Sequence, residues 1–356
     1  MNTTDVVFAT EPTAPSEAFG RRNIPKIAEK LVLVVALALG ALAWILLGGA
    51  FVAGLTALVA YLVILPLWAL MVDGKRSAVD HLTTGLIWSA FLVAVVPLVW
   101  LSEMVISHGA KTVTPEFLTY SMRNVLGDAQ GGLYHALMGT LIITGIALAI
   151  SVPIGIFAAI YLIEYGNKNR ISRAITFLVD VMTGIPSIVA GLFAFALFAL
   201  VFGPGTRIGL GGAVALSLLM VPTVVRTTEE MLRLVPNDLR EAAYALGVPK
   251  WRTITKVVLP TAVGGIVTGI MLAISRVIGE TAPLLVAAGF TNSVNVDPLH
   301  DSMMTLPVFI FTQYSQATPK GEAYAWGGAL VLITLVMLLN LVARIVGKIF
   351  APKTGH

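Results

Sequence analysis

The sequence predicts an all-α integral membrane protein, a polytopic helix bundle, on three observations. The 356-residue chain is 57% hydrophobic and only 12% charged, whereas about a quarter of the residues in a soluble domain are charged. Its mean hydropathy is +0.89. Several apolar runs reach the roughly 20 residues that a helix needs to cross a hydrocarbon core about 30 Å thick. They run continuously apolar, unlike the alternating strands of a membrane barrel.

Taken in order, the apolar runs place eight spans at 31–50, 55–72, 84–106, 133–163, 175–202, 211–231, 259–289 and 326–347. The first two, separated by GGAFVAG, read as a hairpin or as one broken helical hairpin. The stretch before them contains TEPTAPSEAFGRRNIPK, polar and proline-containing with no small-residue cleavage site after the first apolar run. Residues 1–30 are therefore expected to form a disordered cytoplasmic tail and not a signal peptide. A second short tail is expected at 348–356. Pro153, Pro186 and Pro222 fall within spans and predict kinks, because each removes a backbone N–H. Two loops, 107–132 and 290–325, are long enough to dock something at the outer mouth.

Orientation follows from the basic residues. Of the 23 Lys and Arg, 17 fall on the side of the N-terminus and 4 on the other, namely Lys111, Arg123, Arg207 and Lys320. The remaining two, Arg226 and Arg276, lie inside spans. Positive charge collects on the cytoplasmic side, so both termini are expected inside. The net charge of +4 is a trace of that bias, and without aromatic interleaving it does not point to nucleic acid.

Several chemistries are excluded. There is no cysteine, hence no disulfide or thiolate site. No P-loop, HExxH or GxSxG motif occurs, so the chain lacks those routes to nucleotide binding or hydrolysis. The five histidines, His81, His108, His135, His300 and His356, stand singly near or beyond span ends and are read as surface or interfacial residues, not metal ligands. No metal and no cofactor is expected.

The most informative loop is 232–258, with PNDLREAAYALGVPKWR at its centre. Asp238 and Glu241 have capping-box spacing, Leu239, Ala242, Ala243 and Leu246 mark one helix face, and Gly247 suits the C′ position. Pro249 suits the first turn of a second short helix. A compact helix pair on the cytoplasmic surface is expected.

The run EAAYALGVPKWRTITKVVLP resembles the EAA motif of ABC importer permeases. The stretches VPTVVRTTEEMLRLVPNDLREAAYALGVPKW and SRVIGETAPLL resemble the PstA family of phosphate importer permeases over roughly residues 84–347. The resemblance implies a MetI-like permease core of six helices in 84–347, with 31–72 as an extra N-terminal hairpin. It implies that Asp238, Leu239, Arg240, Glu241, Ala242, Ala243, Leu246 and Gly247 form a coupling helix that sits in a groove of an ATPase. It further implies a PstC-type partner permease, a PstB-type ATPase dimer, a PstS-type extracytoplasmic phosphate-binding protein, and residence among the lipids of the bacterial inner membrane. In that setting the chain hydrolyses no ATP itself.

Three ionisable residues inside spans bear on transport. A charge at the bilayer centre costs roughly 2.5–3.5 kcal/mol on insertion scales, so Arg226, Arg276 and Glu280 need a reason to be there. In a continuous helix Arg276 and Glu280 stand at i and i+4 and can pair. One reading makes them a structural ion pair. The other lets Arg276, with Arg226, line a path for an oxyanion, since guanidinium stays charged and forks onto phosphate oxygens, while Glu280 moderates the site so that the anion is released. Arg226 stands nearer the cytoplasmic end, where it could snorkel. Thr227, Thr228, Glu229 and Glu230 beside it are candidates for the inner mouth.

Charge alone leaves sulfate, molybdate or phosphonate as alternative substrates. A stand-alone secondary transporter would show paired broken helices in internal repeats, which are not seen. A membrane-embedded enzyme would need a nucleophile or metal constellation, and none is visible.

Overall fold

The computed structural model describes residues 26–125, 127, 129–166 and 169–350. Its contacts divide the chain into two units, 1–101 and 102–356. The first holds α1 (Lys26–Leu47), α2 (Ala50–Val72) and most of α3 (Lys75–Gly109). Gly48 and Gly49, both with positive φ, make the α1–α2 turn, so the GGAFVAG segment separates two distinct helices. Gly40 lies where a Cβ would meet the Ala53 carbonyl oxygen at 2.7 Å. Lipid tails are as apolar as leucine, so it is this close backbone approach that associates helices in a membrane. The expected tail 1–30 begins its helix early, at Lys26. The rest of it lies outside the described residues, as do residues 351–356 of the second tail.

In the second unit, α4 (Pro115–Thr119) is followed by α5 (Tyr134–Ile160), which runs into a π-helical turn, π1 (Tyr161–Tyr165). Next come α6 (Arg170–Thr183), α7 (Ser187–Phe202), α8 (Gly209–Leu234), α9 (Asn237–Ala245) and α10 (Lys250–Thr253). A second π-helical turn, π2 (Ile254–Val258), leads into α11 (Leu259–Val277), and α12 (Ala282–Ala287), α13 (Leu306–Ser315) and α14 (Pro319–Phe350) complete the chain. Among the described residues seven helices are long and apolar enough to cross a membrane, and α6 with α7, bent sharply between them, is a broken span or a re-entrant loop. Helix α8 is the axle of the unit: it packs on α5, α6, α7, α11 and α12. Opposite it on α11, Gly265 and Gly269 leave room for Met231 and Thr227.

Two expected spans are interrupted. The run 175–202 bends by 110° between α6 and α7, because Pro186 takes the N-cap of α7 and biases Ile185 away from helical geometry. By contrast, Pro153 and Pro222 stand within α5 and α8, which continue through them as helix. The run 259–289 ends as helix at Val277 and resumes at Ala282, with Pro283 in the first turn of α12.

The segment 290–325 also departs from expectation, since much of it belongs to the core. Met303, Leu306, Val308 and Phe309 are fully buried. The Leu306 N–H donates to Thr140 Oγ1 on α5 at 2.8 Å, and the Met303 N–H donates to the Ala288 carbonyl at 3.0 Å. Phe309 meets Phe117 of α4 and the edge of His135. His135 is accordingly a buried residue, not the interfacial one its place near a span end suggests.

Candidate functional site

Arg226 leaves α8 toward two carboxylates. Its Nη1 donates to Glu229 Oε2 at 2.8 Å and its Nη2 to Asp180 Oδ1 on α6. The arginine side chain is 35% exposed, Asp180 61% and Glu229 6%. One guanidinium between two carboxylates leaves the cluster formally at −1. An arriving anion competes with these carboxylates for the Arg226 charge, and of the two Asp180, exposed and on a separate helix, is the freer to yield. Glu229 is bound to the same helix one turn on and is buried. Of its neighbours, Thr228 is buried and Glu230 is exposed.

Arg276 and Glu280 do not form the expected pair. Helix α11 ends at Val277, and the Glu280 N–H turns back to the Val277 carbonyl at 3.1 Å, which takes Glu280 off the i+4 position. Among the described residues Arg276 makes no ion pair and is exposed in the isolated chain. It stands in the last turn of its helix, where a cation complements the helix dipole. The adjacent Ser275 hydroxyl donates to Asn340 Oδ1 on α14 at 3.0 Å. Because Gly269 faces Thr227, Arg276 lies about 10 Å of helix rise beyond the level of Arg226. The two arginines thus occupy two levels and share no single cluster.

Beyond α8, α9 starts at Asn237 with Pro236 as N-cap and no side-chain cap. The capping box of Asp238 and Glu241 is therefore not made, and Asp238 instead lies in the first turn, favourable to the dipole. The other end follows the expected chemistry. Gly247 has φ of 75°, its N–H donates to the Tyr244 carbonyl, and the Val248 N–H donates to the Ala243 carbonyl at 3.1 Å, which is a Schellman motif. Pro249 is the N-cap of α10, but α10 is no separate short helix: it continues through π2 into α11. Of the expected apolar face only Ala243 is buried, while Leu239, Ala242 and Leu246 are exposed.

Arg240 points the other way. Its Nε and Nη2 both donate to Glu164 Oε1 on π1, at 3.0 and 2.9 Å. Its Nη1 donates to the Val235 carbonyl at 2.7 Å and to Asn237 Oδ1 at 3.3 Å, and Nη2 also donates to the Leu232 carbonyl at 2.9 Å. The pair is 12% and 5% exposed. Its side chain is thus spent inside this chain, unlike those of the exposed Leu239, Ala242 and Leu246.

The sequence reading passed over Asp180 and Glu164. Each is a lone acid in or at the end of an apolar run, and a buried arginine asks for such a partner. Composition marks both, but only the fold shows which arginine each meets.

Residues 151–356 match the family described as the binding-protein-dependent transport system inner membrane component. Among curated relatives, the phosphate transport system permease protein PstA 1 of Mycobacterium tuberculosis is 48% identical over 274 residues, covering 76% of this chain and 90% of that one. The phosphate transport system permease protein PstA of Yersinia pestis is 41% identical over 256 residues, covering 72% and 84%. A chain in the crystal structure of a bacterial ABC transporter involved in the import of the acidic polysaccharide alginate shares the fold. It has a TM-score of 0.51 at 14% identity, over 76% of this chain and 99% of that one. The chain belongs to the binding-protein-dependent permeases, on their PstA branch.

Proposed function

We propose that this chain is one of two permease subunits of an ATP-driven phosphate importer. Helix α9 carries the reading. It is short, closed by its Schellman turn, and presents Leu239, Ala242 and Leu246 outward, an apolar face that suits a partner better than solvent. The partner is a PstB-type ATPase dimer that hydrolyses ATP outside this chain. The second half of the path comes from a PstC-type permease, and a PstS-type protein delivers phosphate to the outer mouth. Both termini face the cytoplasm, 84–347 forms the permease domain, and the 31–72 hairpin is an addition to it.

Phosphate passes the two arginine levels in turn. Arg276, unpaired and exposed toward the partner permease, meets it first. Arg226 takes it next as Asp180 yields, and the carboxylates keep either site from holding the anion too long. Glu280 acts near Arg276 without an ion pair to it. Transport is conformational, with no covalent step by this chain. The phosphate-specific names of the relatives at 48% and 41% identity favour phosphate over other oxyanions.

The test is ATP-dependent uptake of labelled phosphate by the assembled complex in vesicles, with sulfate and molybdate as competitors. Arg276→Gln is expected to assemble and lose most uptake, with phosphate the only effective competitor. Unchanged uptake removes Arg276 from the path, and equal competition by sulfate replaces phosphate as the substrate.

A further inference from the structure

The Arg240–Glu164 contact is unusual in its completeness. A guanidinium has five N–H donors in a fixed plane, and each has an acceptor here: two on Glu164, and one each on Leu232, Val235 and Asn237. Nothing remains for solvent or for another subunit. The acceptors come from distinct elements. Leu232 and the C-cap Val235 supply carbonyls at the C-terminal end of α8, where the last carbonyls lack intrahelical partners; that of Leu232 also accepts the Val235 N–H at 3.4 Å. Glu164 stands on π1 at the end of α5, and Arg240 itself is the fourth residue of α9.

An arginine so saturated and nearly buried does not slide, because any shift of α9 against either helix end strips several charge-assisted hydrogen bonds at once. The helices it joins are the two that pack along one another most extensively, α5 and α8, and α8 carries Arg226. On its other side α9 packs on π2 at the root of α11. It therefore stands between two π-helical turns, a rare geometry that recurs at functional positions.

We propose that Arg240 is a positioning residue that fixes α9 to the joined ends of α5 and α8, so that a push on α9 is delivered to the arginine-bearing helix, while π1 and π2 absorb the bending. The proposal deepens the reading of α9 as the ATPase contact and rests on it. It assigns the outward face of α9 to binding the motor and the inward Arg240 to transmitting its stroke, two roles within one short helix.

The experiment uses the whole complex in proteoliposomes and reads three quantities: ATPase subunit retained on the permease, ATP hydrolysed, and phosphate moved per ATP. Arg240→Ala and Glu164→Gln are each expected to keep the ATPase subunit and its hydrolysis while phosphate moved per ATP falls about tenfold, a common size for coupling between sites. The double variant is expected to be no worse than either single one, as for residues acting as a unit. Arg240→Lys, which keeps the charge but has three donors in place of five, is expected to fall between wild type and Arg240→Ala, and it carries the test if the alanine variant does not accumulate. An unchanged ratio in assembled variants overturns the proposal, and so do additive losses. Leu246→Glu on the outward face separates the two ideas. Loss of the ATPase subunit there supports the underlying reading, and its retention overturns that reading whatever Arg240 does.

Discussion

The surroundings of Arg226 and of Arg240 make an instructive contrast. Both arginines stand on α8 or the short helix after it, and both bind a carboxylate from a separate helix. Arg240 is saturated, nearly buried, and shares its donors with backbone carbonyls that cannot move without unwinding α8. Arg226 spends its charge on two carboxylates, one fixed and one exposed, with no carbonyl partner among the described residues. The same side chain is thus a rivet in one place and an exchangeable contact in the other, and the difference lies in the exposure of the acid and the identity of the other acceptors.

The contrast is broken most easily by measuring stability. Removing one member of a buried pair strands the other, at about 3–5 kcal/mol, so Arg240→Ala is expected to lower the thermal unfolding midpoint of the purified complex clearly. Asp180→Asn, at an exposed pair worth about 0–1 kcal/mol, is expected to leave it almost unchanged. Equal losses would mean that both sites are rivets.

Asp180→Asn sharpens the comparison through transport. With one carboxylate gone the guanidinium holds an anion more strongly, so half-saturation of uptake is expected at lower phosphate while the maximal rate falls. The concentration dependence of uptake checks both, and a variant with neither change would show that Asp180 does not stand between Arg226 and the anion.

The smallest effect lies in the exposed segment between α12 and α13. The Leu299 N–H, followed by His300, holds the Asp297 carboxyl below its ordinary value of 3.8. A depressed carboxylate contributes order above its ordinary pKa and loses it as pH falls through the lower folded value. Hydrogen exchange at Leu299 is expected to speed up relative to intrinsic rates on acidification, and Asp297→Asn is expected to abolish that pH dependence. The loop as a whole persists, because the Asn295 side-chain amide also donates to the carbonyls of His300 and Ser302.

Much of the bundle is legible in the sequence because hydropathy reports the commonest requirement, a helix long enough for the bilayer. The breaks are less legible. Pro186 and Pro222 look alike in the chain, yet one sits at a sharp bend and the other within continuing helix, because the interior of α8 is packed on five sides and α6 is not. Nothing local in the sequence says that α11 stops before Glu280, and the expected i, i+4 pair failed for that reason. Arg226 and Arg240 were legible as charges in need of partners. Their partners stand 46 and 76 residues away, beyond any local pattern. Helix α13 escaped notice because ten residues are too few to read as a span.

The segment between α12 and α14 imposes an order of events on biogenesis. Thr140 and Leu306, joined by a hydrogen bond, are 166 residues apart, and synthesis at about 5–20 residues per second separates their appearance by roughly 8–33 s. Through that interval the groove on α5 stands in the nascent bundle without its own filling, and Met303, Leu306 and Phe309 enter only after α8 and α11 have been made. That part of the core therefore closes only after the spans up to α11 have been made, and a ribosome that stalls before residue 303 leaves those spans made and that part open.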